Sequence, residues 1–263
     1  MSARAPAAGT ALALALALAS ACGAPPPEPL RRPRPRAEPP PDAGPDAAPA
    51  DAAPDLPAGI VDVRALEPSL VVDLVYAGRD GFLGRPAAGY HASVCYLTED
   101  AARALARAQA RLRAAGQARG RALTLLILDC YRPPQAVADF VRWAGEPEDP
   151  ATRARFHPTL PRAELVRAGY IAADSGHTLA TVVDLTIAEQ RDGRAAPLDL
   201  GSPFDFFDPR SHADAADLTA EQRAARQLLR EVMAPDFRPY RKEWWHFTLA
   251  DEPAPRRYDF EIR

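Results

Sequence analysis

Short hydrophobic runs, separated by polar, glycine-rich or proline-rich segments, recur along the second part of the chain. Five of these runs are rich in β-branched, leucine or aromatic residues and predict strands, at Gly59–Val63, Ser69–Tyr76, Leu123–Leu128, Thr181–Ile187 and Glu243–Leu249. The run Leu123–Leu128 is almost unbroken, which is typical of a strand covered on both faces. We therefore expect this strand at the centre of a sheet.

Helices are predicted where hydrophobic residues recur every three or four positions between capping residues. Thr98 is a suitable N-cap for a helix that runs to about Ala115 and is ended by Gly116. Thr219 and Gln222 have the spacing of a capping box. The other predicted helices begin near Pro134 or span Pro161–Ala168 and Ala220–Met233.

The order of these elements indicates the fold class. Helices and strands alternate irregularly and no internal repeat is present, which favours an α+β fold with a central, mostly antiparallel sheet flanked by helices. Every aromatic residue lies within residues 58–263, and a segment of this length suits a single domain. The formal net charge of −3 at pH 7 is too small to favour nucleic acid as a partner.

Residues 1–22 have the pattern of an export signal. Arg4 precedes an apolar run, Ala11–Ala19, that is too short to span a bilayer as a helix. The segment Leu18–Gly23 resembles a bacterial lipobox, although Ala19 stands where that pattern prefers leucine. The resemblance implies that Cys22 is lipidated and becomes the mature N-terminus; the alternative is plain secretion.

Residues 23–57 have a different composition from the rest of the chain. They contain 13 of the 29 prolines and no aromatic residue, so they offer too little apolar surface to offset the entropy of ordering. We expect a disordered tether, rich in proline and alanine, that ends where the domain of residues 58–263 begins. A docking site for a groove-binding partner, centred on Arg31–Arg36, is the alternative.

Two short motifs concentrate the chemistry of the chain. His177 is followed seven residues later by Asp184, which lies within an apolar strand, where an ionised carboxylate needs a cation beside it. Glu243 precedes His246 by three residues. Two imidazoles and one carboxylate form a ligand set suited to Zn²⁺ with an open position for water, and Glu243 is left free as a base. Alternatively, Asp184 pairs with Arg132 and the histidines are structural.

From about Leu74 to Leu249 these motifs resemble, in order and spacing, the zinc D-alanyl-D-alanine dipeptidases of the vancomycin-resistance type. The resemblance implies a metallopeptidase domain with one Zn²⁺ per chain at the sheet. It also implies roles for individual residues: His177, Asp184 and His246 as zinc ligands, Glu243 as the base, Arg132 as the transition-state stabiliser, Asp205 as the partner of the substrate ammonium, Tyr76 and Tyr90 as pocket residues, and Ser175 with Tyr90 as partners of the substrate carboxylate.

The chain departs from the family pattern beside the first histidine. Ala180 and Val182 stand where the family usually has glycine and alanine. If glycine serves there to allow a positive φ, Ala180 is strained. We expect this difference to affect specificity more than activity.

Three cysteines are present, and assigning Cys22 to a lipid leaves Cys95 and Cys130. An even pair in an oxidising compartment favours a disulfide, and two buried free thiols are the alternative. Neither cysteine has a matching histidine motif, so neither is a candidate nucleophile.

The functional hypothesis is zinc-dependent hydrolysis of a small D,D-dipeptide by an exported, lipid-anchored protein of the cell envelope or periplasm. No protein partner is implied, and the membrane is contacted only through the N-terminal lipid. One alternative is a D,D- or L,D-carboxypeptidase that acts on peptidoglycan stem peptides. Another is a catalytically silent lipoprotein that binds peptidoglycan, although a structural zinc would not require Glu243 and Arg132.

Overall fold

The computed structural model describes residues 56–252 and 255–263. The predicted signal peptide, Cys22 and most of the predicted tether lie outside the described residues. In the part of the chain that is described, no helix is long and apolar enough to cross a membrane.

Eight strands and five α-helices make up the regular structure of these residues. The strands are β1 (Ile60–Asp62), β2 (Val71–Val72), β3 (Tyr96–Thr98), β4 (Leu123–Asp129), β5 (Val182–Arg191), β6 (Arg194–Pro197), β7 (Phe237–Pro239) and β8 (His246–Leu249). The helices are α1 (Val63–Leu66), α2 (Glu99–Gln117), α3 (Pro134–Ala144), α4 (Pro150–Phe156) and α5 (Ala220–Met233). Short 3₁₀ turns occur at Val75–Ala77, Arg162–Glu164, Gly176–Leu179 and Pro209–Ser211.

The main sheet has six strands. Its order is β2-β4-β5-β8-β7, and β6 also pairs with β5. Only the β2–β4 pairing is parallel, so the predicted α+β class with a mostly antiparallel sheet is confirmed. Strands β1 and β3 form a separate antiparallel pair.

The centre of the sheet differs from the prediction. Every residue of β4 is buried, as the unbroken apolar run indicates. However, β5 is the strand with the most partners, because β4, β6 and β8 all pair with it. The apolar run of β4 shows that the strand is covered, but it does not show how many neighbours the strand has.

Helices α2 and α5 begin where their caps predict. The Thr98 hydroxyl accepts a hydrogen bond from the Ala101 amide, and both hydrogen bonds of the Thr219–Gln222 capping box are present. The end of α2 was predicted wrongly, because Gly116 lies inside the helix. A Cβ at Gly116 would lie 2.7 Å from the Arg121 carbonyl oxygen, so close approach of the returning chain explains this glycine.

Two other predicted elements are shorter in the structure. The run Ser69–Tyr76 forms only the two residues of β2, because the Leu74 amide donates to Ser93 Oγ and the chain then turns into a 3₁₀ helix. The helix predicted at Pro161–Ala168 is only the turn Arg162–Glu164. So short a segment gains little helical stability of its own. The Arg162 side chain instead donates to the Pro147 carbonyl and packs over the Trp143 ring.

Candidate active site

The pairing of β5 with β8 positions two of the predicted ligands. Asp184 lies opposite His246 in the antiparallel register, and His246 Nδ1 is 3.0 Å from Asp184 Oδ1. His177 lies in the 3₁₀ turn before β5, where its Nε2 is 3.3 Å from Asp184 Oδ2. One ligand atom from each of these three residues lies within 4.8 Å of the others.

His177 and Asp184 are seven positions apart, and an odd separation would place them on opposite faces of one regular strand. The chain must therefore turn between them, and it does so at Ala180. Its φ of 56° lies in the left-handed region and ends the turn that carries His177. The strain expected for an alanine at this position is therefore present, at a cost of roughly 1–2 kcal/mol. The Ala180 amide donates to the His177 carbonyl, and the Ala180 carbonyl accepts from the Thr98 amide, so both neighbouring elements hold this conformation.

The donor set fits a divalent metal. The His177 Nδ1–H donates to the Cys130 carbonyl over 2.6 Å, which leaves the Nε2 lone pair for the centre of the site. Within the described chain, His177 Nε2 and Asp184 Oδ1 are buried and make no hydrogen bond with suitable angles, although Asp184 Oδ1 lies 3.0 Å from His246 Nδ1. Buried polar atoms are normally paired, so convergent unpaired lone pairs indicate a place for a cation.

Electrostatics keep the carboxylate of Asp184 ionised. Burial raises its pKa, but the imidazoles of His177 and His246 lower it more, and the net pKa lies well below the usual value. Asp184 can therefore bind a metal as an anion.

Glu243 lies just before β8 and faces the same centre. Its Oε2 is 3.6 Å from His246 Nδ1. Burial, and then the negative charge of Asp184, raise the pKa of Glu243 well above its usual value. A raised pKa makes a carboxylate a stronger base, which is a property that suits a general base.

Arg132 follows β4 and lies at the edge of the site. Its guanidinium donates to Asp129 Oδ2 over 3.0 and 2.8 Å, and lies 3.7 Å from Asp184 Oδ2. It also lies over the rings of Tyr76 and Phe140. Since Asp129 is the closer partner, the alternative in which Arg132 serves mainly to pair with Asp184 is not favoured.

These groups line one cavity of about 180 Å³. Pockets for drug-sized ligands occupy about 300–1,000 Å³, so this cavity suits a smaller molecule. Of the residues predicted to act at the site, eight line it: Tyr76, Arg132, Ser175, His177, Asp184, Asp205, Glu243 and His246.

Asp205 is buried at one side of this cavity, and its carboxylate has a single hydrogen-bond donor among the described residues. The Tyr76 hydroxyl lies 3.0 Å from both of its carboxylate oxygens. Burial, and then the charge of Asp184, raise the pKa of Asp205 well above the usual value. A bound cation would supply the charge that this carboxylate lacks.

Tyr90 is not among the lining residues. Its hydroxyl donates to Asp129 Oδ1 over 2.6 Å, and its side chain is buried. The structure therefore places Tyr90 behind Arg132, where its hydroxyl orients Asp129, and not where it would meet the carboxylate of a ligand. Ser175 does line the cavity, and its Oγ accepts from the His177 amide.

Asp129 was not predicted as a site residue. It is fully buried, contacts Tyr90 and Arg132, and has an oxygen 3.5 Å from His177 Nδ1. The signal was available, because Asp129 ends an apolar strand just as Asp184 interrupts one. The rule that a buried carboxylate needs a partner applies equally to both residues.

A disulfide supports this part of the site. It joins Cys95 to Cys130, with their Cα atoms 5.5 Å apart. The carbonyl of Cys130 is the acceptor for His177 Nδ1–H, so the bond restrains the backbone that orients a predicted ligand.

A mostly antiparallel sheet that carries a His-Asp-His set with a glutamate beside it is the arrangement expected of a metallopeptidase. Comparison with known proteins gives the family. Residues 57–262 match the family model Peptidase_M15, described as D-ala-D-ala dipeptidase, and the chain belongs to this family.

Three relatives are each named D-alanyl-D-alanine dipeptidase. The protein of Streptomyces coelicolor is 43% identical over 72% of this chain and 91% of its own length. The protein of Enterococcus faecalis is 40% identical over 71% of this chain and 89% of its own length. The protein of Escherichia coli is 32% identical over 72% of this chain and 84% of its own length.

Proposed function

We propose that this protein hydrolyses free D-alanyl-D-alanine and that its metal is Zn²⁺. The observation that carries the proposal is the content of the 180 Å³ cavity: unpaired metal-ligand atoms, a glutamate with a raised pKa and a separate buried carboxylate, all facing one small space.

His177, Asp184 and His246 would hold the metal, since their N,N,O donor set and its open position suit zinc. When bound, the metal supplies Lewis acidity toward the scissile carbonyl and lowers the pKa of a water molecule. His177 is oriented for this role by the Cys130 carbonyl.

Glu243 takes the proton of the attacking water and returns it to the leaving amine. Its raised pKa makes both transfers accessible, because a carboxylate that holds its proton too weakly could not protonate the amine. Arg132 donates hydrogen bonds to the oxygen on which negative charge develops, a role worth a few kcal/mol for one such donor. Asp129 holds the guanidinium in place for this.

Asp205 binds the substrate ammonium and Ser175 takes part in binding the carboxylate. Tyr76 fixes the Asp205 carboxylate by donating its hydroxyl. A peptide extended at its amino end has no ammonium at this position, so it would leave Asp205 buried and unpaired. The charge at Asp205 and the small volume together favour dipeptides over peptidoglycan stem peptides.

The deciding experiment compares the purified protein on D-Ala-D-Ala, N-acetyl-D-Ala-D-Ala and L-Ala-L-Ala, before and after chelation. We expect about one zinc per chain by elemental analysis, loss of activity with chelator and recovery with Zn²⁺. We expect kcat/KM for the acetylated peptide to fall by a factor on the order of 10² or more. Asp205→Asn should narrow that gap, because the buried charge that rejects the acetylated peptide is gone.

Equal cleavage of free and acetylated dipeptide would favour the carboxypeptidase alternative. A folded protein that binds the dipeptide but does not cleave it, even with zinc added, would favour the silent lipoprotein.

We also propose that residues 1–22 direct export and that Cys22 carries a lipid anchor in the cell envelope. Support comes from the resemblance of Leu18–Gly23 to a lipobox and from the proline-rich segment that follows. Mass spectrometry of the N-terminal peptide from cells that express the parent or Cys22→Ser tests this proposal. An acylated Cys22 in the parent is expected, and a free Cys22 or an uncleaved N-terminus would overturn it.

A further inference from the structure

Two segments meet at the side of the cavity near Glu243. One is the turn Ala168–Ala172, called here the mouth turn, and the other is Tyr240–Lys242, which directly precedes Glu243. Four residues of the mouth turn, from Gly169 to Ala172, line the cavity together with Tyr240. The mouth turn therefore forms part of the wall around any bound substrate.

Two side-chain hydrogen bonds join these segments. The Tyr240 hydroxyl donates to the Gly169 carbonyl over 3.2 Å, and Lys242 Nζ donates to the Ala168 carbonyl. Lys242 is the only lysine in the sequence. The backbone amides of residues 168–171 donate to carbonyls of residues 164–166. Within the described residues, no backbone amide donates to the Ala168 or Gly169 carbonyl, so both carbonyls can accept from side chains.

Gly169 makes this approach sterically feasible. Its φ of +77° lies in the left-handed region, and a Cβ there would lie 3.2 Å from Lys242 Nζ and 3.7 Å from the Tyr240 hydroxyl. Both donors thus approach the turn over the space that a larger residue would fill.

The far side of the mouth turn is fixed separately. The Tyr170 hydroxyl lies 3.0 Å from His212 Nε2, and its ring packs against Phe207 at a centroid distance of 5.7 Å. The Tyr240 ring lies 5.4 Å from the ring of His246 and yet is 37% exposed, so it separates the predicted ligand from solvent. Loss of the hydrogen bonds from Tyr240 and Lys242 would release one side of the mouth turn, while Tyr170 would still hold the other side in place.

We propose that Tyr240 and Lys242 act as a latch that holds the mouth turn closed and thereby sets the length of peptide the enzyme accepts. The inference rests on the proposed dipeptidase function, and it assigns part of the length specificity, in addition to the part due to Asp205, to two residues that do not touch the reacting atoms. With the latch in place, the wall closes around a dipeptide. Without it, the turn moves outward and a third residue fits.

The test compares D-Ala-D-Ala with tri-D-alanine, because both peptides carry a free ammonium and a free carboxylate and differ only in length. The variant Tyr240→Phe/Lys242→Met removes both donors and keeps the aromatic ring and the apolar stem. Gly169→Ala disturbs the same latch from the other side. Arg241→Met is the matched control, since it removes an exposed neighbouring cation.

We expect the ratio of kcat/KM for the tripeptide to kcat/KM for the dipeptide to rise about tenfold in the double variant, which corresponds to about 1.4 kcal/mol. It should rise in Gly169→Ala and stay unchanged in Arg241→Met. Because the positive charge of Lys242 also lowers the pKa of Glu243, both rates will change together, and the ratio cancels that effect.

Amide hydrogen exchange supplies a second measurement that does not depend on activity. The amides of residues 168–172 should exchange faster in the double variant than in the parent and the control. An unchanged ratio together with unchanged exchange, in a variant with the parent's circular dichroism spectrum, would overturn the latch. If the parent did not cleave D-Ala-D-Ala, the proposed function would fail, and the exchange measurement alone would decide whether the latch exists.

Discussion

Asp139 in α3 and Asp184 in β5 are buried to nearly the same extent, with 1% and 3% of their surfaces exposed, yet their surroundings differ. Both oxygens of Asp139 accept hydrogen bonds: Arg85 donates to each, Arg142 donates to one and the Ala88 amide to the other. Asp184 faces two imidazoles, and its Oδ1 has no hydrogen bond within the described chain.

The difference distinguishes a structural carboxylate from a candidate metal ligand. Hydrogen bonds from Arg85 lower the pKa of Asp139 and satisfy its charge completely. Asp184 is also kept ionised, but by two histidines, and a nitrogen atom of each histidine lies within 3.3 Å of its carboxylate. Because Asp184 Oδ1 makes no hydrogen bond, a bound cation would supply an interaction that the described chain itself does not. Four predictions test the contrast, beginning with the largest expected effect.

Asp184→Asn should abolish metal binding and lower activity by a factor on the order of 10³ or more, because the anionic ligand of the set is lost. Stability of the metal-free protein should not increase, because the low pKa of Asp184 means that the two histidines already stabilise its ionised form in the folded state. Elemental analysis, turnover and thermal unfolding of the chelated protein measure these effects. A variant that kept a full complement of metal would show that Asp184 is not a ligand.

Glu243→Gln keeps the volume of the side chain and removes its basicity. We expect the variant to retain the metal while kcat falls by a factor on the order of 10² or more. Metal content and steady-state kinetics on the dipeptide, measured on one preparation, check both parts. Turnover at the parent rate would remove Glu243 from the role of base.

Asp139→Asn should destabilise the fold by about 1–3 kcal/mol at neutral pH and leave metal content unchanged, because Arg85 loses its charged acceptor. The pKa of Asp139 is lower in the folded state than in the unfolded chain, so the ionised carboxylate stabilises the fold. This stabilisation is complete above a pH of about 3.9, the unfolded-state pKa, and is lost as the pH falls through the folded-state pKa.

Denaturant unfolding of parent and variant between pH 3 and pH 7 tests this dependence. The difference in free energy of unfolding should be constant at neutral pH and shrink at the acidic end. If the difference in free energy of unfolding grew as the pH fell, the role of ionised Asp139 as a stabilising group would be contradicted.

Asp129→Asn tests a carboxylate whose surroundings are intermediate between those of Asp139 and those of Asp184. Asp129 is well bonded, as Asp139 is, but its partners are Arg132 and Tyr90 beside the site. We expect the metal to remain and kcat to fall about tenfold with little change in KM, because Arg132 is less well positioned for the transition state. A fall in metal content would instead show that Asp129 acts mainly through His177, 3.5 Å away.

Local sequence patterns correctly predicted the structural features that depend on residues close together in the chain. The capping residues of α2 and α5 predicted where both helices begin, since the N-cap hydrogen bonds form within one turn. The apolar run of β4 predicted its burial. The spacing of His177, Asp184, Glu243 and His246, together with the family resemblance, predicted a set of residues that the structure does bring to one centre.

Short sequence patterns gave wrong predictions where contacts with distant segments determine the structure. The run Ser69–Tyr76 looks like one strand, but a hydrogen bond from Leu74 to Ser93 ends β2 early. Tyr90 was expected in the pocket, and its hydroxyl instead bonds to Asp129, 39 residues away.

The sequence by itself indicated the class of chemistry, because the residue types, their spacing and the family resemblance predict a ligand set and a base. The tertiary structure alone decided which polar atoms remain unpaired. Asp139 and Asp184 are the same residue type, and only the arginines that fold onto Asp139 and the histidines that fold onto Asp184 make one structural and the other a candidate ligand. Pairing between segments far apart in the chain depends on the register of the folded sheet, which short-range patterns do not encode.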